Sequence, residues 1–63
     1  MKLFVTRKKA KNSEGTYVCL VLDLGYRSVI LSYDRALCAE VLDVPPSKLE
    51  TIKLGQTVPV SFK

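Results

Sequence analysis

The sequence predicts a small α+β domain: a short antiparallel sheet with one helix, in the order β-β-β-α-β. Three observations carry this. Residues 16–24 and 26–33 are two β-branched, apolar runs separated by Gly25, the pattern of adjacent antiparallel strands. From Asp34 the apolar spacing changes to i, i+4, the period of a helix. Residues 56–62 then alternate again, with Val58, Val60 and Phe62 on one side. Sixty-three residues make one domain spanning 1–63, and the 48% hydrophobic content is far above that of a disordered chain. A core of this size supplies only about 3–5 kcal/mol, so self-association into a homodimer is an expectation.

The elements follow in order. Residues 3–6 (Leu-Phe-Val-Thr) form a short β-prone run. Residues 8–15 are polar, with Asn12, Ser13 and Gly15 as turn formers. The run 16–24 is apolar almost throughout, which reads as a strand covered on both faces by a curled sheet or a dimer partner. Asp23, Leu24 and Gly25 suit a tight turn, Gly25 supplying a positive φ. In the next strand Val29, Leu31 and Tyr33 fall on the core face, and Ser28, Ile30 and Ser32 on the other. These three strands read as a 1-2-3 meander, with an alternative in which the sheet curls toward a partial barrel. Asp34 can cap the helix, with Ser32 as a competing cap, and Leu37 and Val41 flanked by Cys38 and Leu42 give its stripe. Arg35 and Glu40 stay wet. Pro45 and Pro46 stop the helix, and Ser47 with Glu50 has the spacing of a capping box for one further turn. Pro59 lacks an amide hydrogen, so the last strand belongs at a sheet edge.

The chain has no histidine, no tryptophan and two cysteines outside any CxxC pair. Cys19 and Cys38 read as reduced core thiols. With no histidine there are too few ligands for a structural zinc, and the commonest general base is missing. Asp23, Asp34 and Glu50 each have a turn or cap to serve, Ser28, Ser32 and Ser61 have no base to activate them, and Gly15, Gly25 and Gly55 are scattered. The expectation is a non-enzyme with no cofactor, no metal and no small-molecule substrate. No leader pattern opens the sequence and no apolar run approaches the roughly 20 residues of a membrane span, so a cytoplasmic protein without membrane contact is expected.

The net charge is +4. Lys2, Arg7, Lys8, Lys9 and Lys11 carry the whole excess, and residues 12–63 hold five cations against six acids. Gathered at one end, that charge makes a local field suited to a polyanion. If the first two strands pair, Arg7, Lys8, Lys9 and Lys11 lie on one arm and the tip of a hairpin, where extended side chains can follow phosphates and release counterions. The bland alternative is a solvated loop. Phe4 faces away from the core if Leu3 and Val5 face it, and so does Tyr26, with Arg27 beside it. Phe4 and Tyr26 are therefore candidate base-stacking platforms and Arg27 a further phosphate contact.

Two stretches carry a resemblance. Residues 15–25, G-T-Y-V-C-L-V-L-D-L-G, resemble the second-strand region of the single-stranded-DNA-binding proteins of filamentous phages. Residues 55–62, G-Q-T-V-P-V-S-F, are similar to a strand of cold-shock domains. Both families are small β-barrels of the oligonucleotide-binding type, and the whole looks similar to short proteins encoded by phages and mobile elements of Gram-positive bacteria. The resemblance implies Tyr17 and the basic residues from Arg7 to Lys11 as nucleic-acid contacts. The chain departs from both families in its helix and in lacking the paired aromatic motifs of cold-shock proteins. The expected function is sequence-tolerant nucleic-acid binding, single-stranded DNA first, as an accessory factor in replication or transfer of a phage or mobile element. The rival is a protein-interaction module that uses an exposed sheet edge. A weaker third reading, a sequence-specific DNA regulator, suffers from the scarcity of cations on the helix.

Overall fold

A computed structural model describes residues 1–12 and 14–60. Its elements are β1 (Lys2–Lys9), β2 (Thr16–Asp23), β3 (Ser28–Ser32), α1 (Arg35–Leu42), a 3₁₀ helix (Pro46–Thr51) and β4 (Thr57–Pro59). The α+β class and the β-β-β-α-β order hold. All pairings are antiparallel in the spatial order β3-β2-β1-β4. The sheet is open, with β4 added beside β1 and not curled toward β3.

Alternation assigns the two faces. Leu3, Val5 and Arg7 of β1 stand opposite Leu22, Leu20 and Val18 of β2. On this face Val5, Val18 and Leu20 pack with Cys38, Ala39, Leu49 and Ile52, and Leu3, Val41, Leu42, Val58 and Val60 close the cluster. One face of the sheet therefore carries the core, with α1 and the 3₁₀ helix as its lid. Lys2, Phe4, Thr6 and Lys8 point the other way, beside Asp23, Val21, Cys19 and Tyr17. Phe62 lies outside the described residues; Val58 and Val60 do face the core as their spacing requires.

Strand β3 departs from simple alternation. Val29 pairs with Leu22 and Ile30 with Val21, but Leu20 pairs with Ser32, leaving Leu31 as a bulge. A bulge inserts one residue and reverses the side on which later residues fall. Leu31 and Tyr33, expected in the core, are thus 51% and 61% exposed, and the Tyr33 ring meets Tyr17 at 5.4 Å. The strand is also shorter than expected, because Leu24 N–H donates to Arg27 C=O around a two-residue loop of Gly25 and Tyr26. Gly25 has φ +97°, which the first central position of such a loop needs.

Asp34 caps α1 as expected, its Oδ1 accepting from Ala36 N–H at 2.9 Å, while Ser32 Oγ accepts from Asp34 N–H. The buried side of the helix is rotated slightly from the expected stripe. Cys38 and Ala39 are buried, whereas Leu37 sits on the rim. The Ser47–Glu50 capping box does not form. Pro45 occupies the cap position of a 3₁₀ helix without a side-chain bond, and Glu50 turns outward to Arg35 at 2.8 Å. Pro46 stands at the first helical position, where a missing N–H has no intrahelical partner to lose, and it holds Pro45 extended ahead of it.

At the end of α1, Asp43 adopts a left-handed conformation (φ 57°), and its N–H and that of Val44 return to Glu40 and Ala39 carbonyls. A β-carbon there costs about 1 kcal/mol relative to glycine, and a carboxylate at a helix C-terminus faces the wrong end of the dipole. Asp43→Gly is expected to raise the thermal midpoint by roughly 4–8 °C, the shift that about 1 kcal/mol produces in so small a domain. A lowered midpoint in calorimetry would contradict this.

Both cysteines are free and buried. Burial pushes the Cys19 thiol up from its ordinary value of 9.0, with Lys8 pulling the other way. Burial likewise raises Cys38, helped by Cys19 and Asp34, against its own backbone hydrogen bond. The folded chain therefore holds these protons more tightly than the unfolded one. Their stabilisation is complete below pH 9.0 and drains away as pH rises from there through the raised folded values. Urea midpoints compared at about pH 8 and about pH 10 should fall less for Cys38→Ala than for the parent chain; equal falls would remove the thiols as the cause.

Candidate nucleic-acid interface

Arg7, Lys8 and Lys9 of the basic cluster are built into the sheet, and Lys11 lies in the connection beyond it. Strand β1 runs through Lys9, and the hairpin closes beyond it with Ala10 N–H donating to Gly15 C=O at 3.0 Å. Lys8 pairs with Tyr17, Lys9 with Thr16, and both lysines and Lys11 are exposed. The arm and tip of a hairpin expected for these residues are where they stand. Lys8 projects from the open face, and Lys9 from the opposite side of the same arm.

Arg7 is the exception within the cluster. It is half-buried on the helix-bearing face, and its guanidinium is tied to the 3₁₀ helix and to Thr16. Nε donates to Ile52 C=O at 2.6 Å, Nη2 to Leu49 C=O at 2.5 Å and Nη1 to Thr16 Oγ1 at 2.8 Å. Its own carbonyl accepts from Gly55 N–H at 3.2 Å, next to a parallel bridge with Leu54. Arg7 thus clamps the end of the 3₁₀ helix to the sheet; it is not free to follow phosphates as the sequence suggested. The signal that separates it from Lys8 is the i, i+2 spacing of Leu3, Val5 and Arg7, which applies once β1 runs past Thr6.

The open face carries Phe4, half-buried, in register with Val21 on one side and Pro59 on the other. Thr6, Cys19 and Val21 between the strands are buried, small residues flanked on this face by Phe4, Lys8 and Tyr17. Thr6 Oγ1 donates to Gln56 C=O at 2.7 Å, which satisfies the one buried hydroxyl there. Tyr17 and Tyr33 form a tilted pair, interplanar angle 55°, at the end of the face nearest the lysines. Tyr33 was missed as a candidate. Its sequence spacing assigned it to the core, and only the bulge in β3 brings it out.

Tyr26 and Arg27 occupy the β2–β3 turn, exposed, at the other end of the hairpin. Lys2 pairs with Asp23 beside that turn. Six residues of strand, or roughly 20 Å, separate Lys2 from Lys8, so Tyr26 and Arg27 form a second corner with Lys2 and do not join the tip. Asp23 Oδ1 accepts from Gly25 N–H at 2.8 Å and shapes that corner.

A cleft of about 330 Å³ opens where β3 stops short of the β1–β2 tip. Arg7, Thr16, Tyr17, Tyr33, Arg35 and Glu50 line it. A second, more apolar groove of about 210 Å³ runs between the 3₁₀ helix and β4, past Leu49, Ile52 and Val58. Among the described residues no helix is long and apolar enough to cross a membrane. Comparison of the chain with protein-family models, with characterised proteins and with solved structures gave no match.

Proposed function

We propose that this protein binds single-stranded nucleic acid, DNA in the first instance, along the sheet face that α1 leaves open. The supporting observation is the company on that face: Phe4, Tyr17 and Tyr33 with Lys2 and Lys8, and with Lys9 and Lys11 at the adjoining tip. Aromatic rings on a sheet accept bases of any identity, while cations at a regular rise accept the phosphates. A strand laid along β1 would meet Lys8 and Tyr17 at one end and Lys2 and Arg27 at the other. The tyrosine pair stands together at the Lys8 end, and Phe4 lies four residues further along β1. A duplex keeps its bases stacked inside, so this surface favours single strands.

The test is fluorescence anisotropy with oligonucleotides of about twelve residues, a length within the site sizes of small single-strand binders, single-stranded and duplex, at two salt concentrations. Tighter binding of the single strand with an inverse dependence on salt is expected. Phe4→Leu and Tyr17→Leu should each weaken it by roughly 1–3 kcal/mol, the worth of one stacked base. Equal affinity for duplex, or none at low ionic strength, would end the reading.

A second reading, homodimerisation or partner docking by strand addition, is favoured by the outer edge of β3, which has no neighbouring strand among the described residues and carries exposed Leu31, with Tyr26 (84% exposed) in the turn before it. Light scattering decides it: a mass of twice the chain's 7.0 kDa supports this edge as an interface, and a monomer at all concentrations removes the homodimer.

A further inference from the structure

The cleft beside the hairpin tip opens at the sheet edge, between the open face and the helical lid, and is chemically unlike that face. Its wall is the Tyr17–Tyr33 pair, and Tyr33 is exposed enough for a third ring to reach it. Its floor is Arg7, held rigid by three hydrogen bonds. Its rim is the Arg35–Glu50 ion pair, made through Arg35 Nη2 and Glu50 Oε1 alone and largely solvent-exposed on both sides. At about 330 Å³ it lies at the small end of ligand pockets, room for one planar ring system and its sugar. Tyr17 belongs both to this cleft and to the open face, where it pairs with Lys8. A strand bound along the face can therefore turn one base into the cleft.

We propose, resting on the nucleic-acid reading above, that the cleft holds a single unstacked nucleobase of the bound strand and selects guanine. A carboxylate accepts hydrogen bonds and donates none. Of the four bases, only guanine offers two adjacent donors, N1–H and the N2 amino group, on its pairing edge. Glu50 keeps one oxygen outside its bond to Arg35, and the carboxylate has lone pairs to spare on the other. The remaining N–H groups of Arg35 sit beside it and match guanine O6, an acceptor next to those donors. Thymine and cytosine present a carbonyl where guanine presents its N2 amino group, and adenine presents a bare ring nitrogen where guanine presents N1–H, so each turns an acceptor toward the carboxylate with like polarity. The tyrosine pair supplies stacking, which every base accepts, so selection rests on Glu50 and Arg35.

The experiment compares oligo-dT of about twelve residues with three versions carrying one central dG, dA or dC, by anisotropy with the full chain. The dG strand is expected to bind roughly tenfold tighter than the others, within the range of one good edge contact. Glu50→Gln replaces one acceptor by a donor, and the dG-to-dT affinity ratio should then fall to about one, well below the tenfold parent value. Lys8→Gln should weaken all four strands and keep the ratio. Circular dichroism checks that Glu50→Gln folds, and Arg35→Lys, which retains charge but loses the planar fork, should reduce the ratio independently. Equal affinity for the four strands, or a dG preference that survives Glu50→Gln, overturns the guanine site while leaving nucleic-acid binding intact. No binding of any strand at low salt overturns both.

Discussion

Replacing Lys8, Lys9 and Lys11 together by Gln is expected to weaken single-strand binding uniformly across sequences and to flatten its salt dependence by about 0.7 per lost phosphate contact, or roughly 2 in slope if all three take part. The size of the effect follows from where these residues stand. They hold three of the five cations that make the first eleven residues basic, and all three are exposed. Residues 12–63 carry a net charge of −1 and cannot substitute for them. Lys8 and Lys9 lie on an ordered strand paired to Tyr17 and Thr16, so their backbone positions are set before any ligand arrives. Exposed lysines contribute little to folding, and the variant should keep its thermal midpoint. A titration at several salt concentrations reads the slope directly. An unchanged slope would assign the cluster to solvation.

Arg7→Met should behave in the opposite way, costing about 2–3 kcal/mol of stability and destabilising the sheet–helix contact before it alters any charge-dependent binding. The guanidinium donates to two carbonyls at the end of the 3₁₀ helix and to Thr16 across the β1–β2 pair. Charge-assisted bonds of this kind are the stronger ones, and leaving part-buried acceptors without their donor carries its own penalty. In a domain whose core supplies only about 3–5 kcal/mol, a loss of that size populates the unfolded state. Lysine should rescue only in part, because an ammonium cannot reach the three acceptors in one plane. Urea denaturation followed by circular dichroism measures this. A midpoint equal to that of the parent chain would show that the three bonds contribute nothing net. The contrast between Arg7 and Lys8, adjacent and both basic, is the sharpest consequence of strand alternation in this protein.

Strand order in the meander, the capping role of Asp34, the turn at Gly25 and the edge position of Pro59 were all legible in the sequence. Each depends on a local rule: a period of two, a carboxylate reaching the second amide of a helix, a residue without a β-carbon, a residue without an amide hydrogen. The basic arm was legible for the same reason, since charge and its position along the chain need no fold to be counted. Phe4 could be placed on the open face because Leu3 and Val5 flank it as core residues.

Three things required the tertiary structure. The bulge at Leu31 is an offset between two strands, and it moves Tyr33 from the core to the side of Tyr17. The inward role of Arg7 depends on carbonyls more than forty residues away in the chain. The Arg35–Glu50 pair comes from a 3₁₀ helix that set aside the local capping box and turned Glu50 toward α1. In each case the deciding partner is distant along the chain, so the competition between a local preference and a long-range contact is resolved only when the sheet and its helical lid meet. Local pattern determined which elements form and where the charge lies. Packing decided which of those charges and rings face the solvent together.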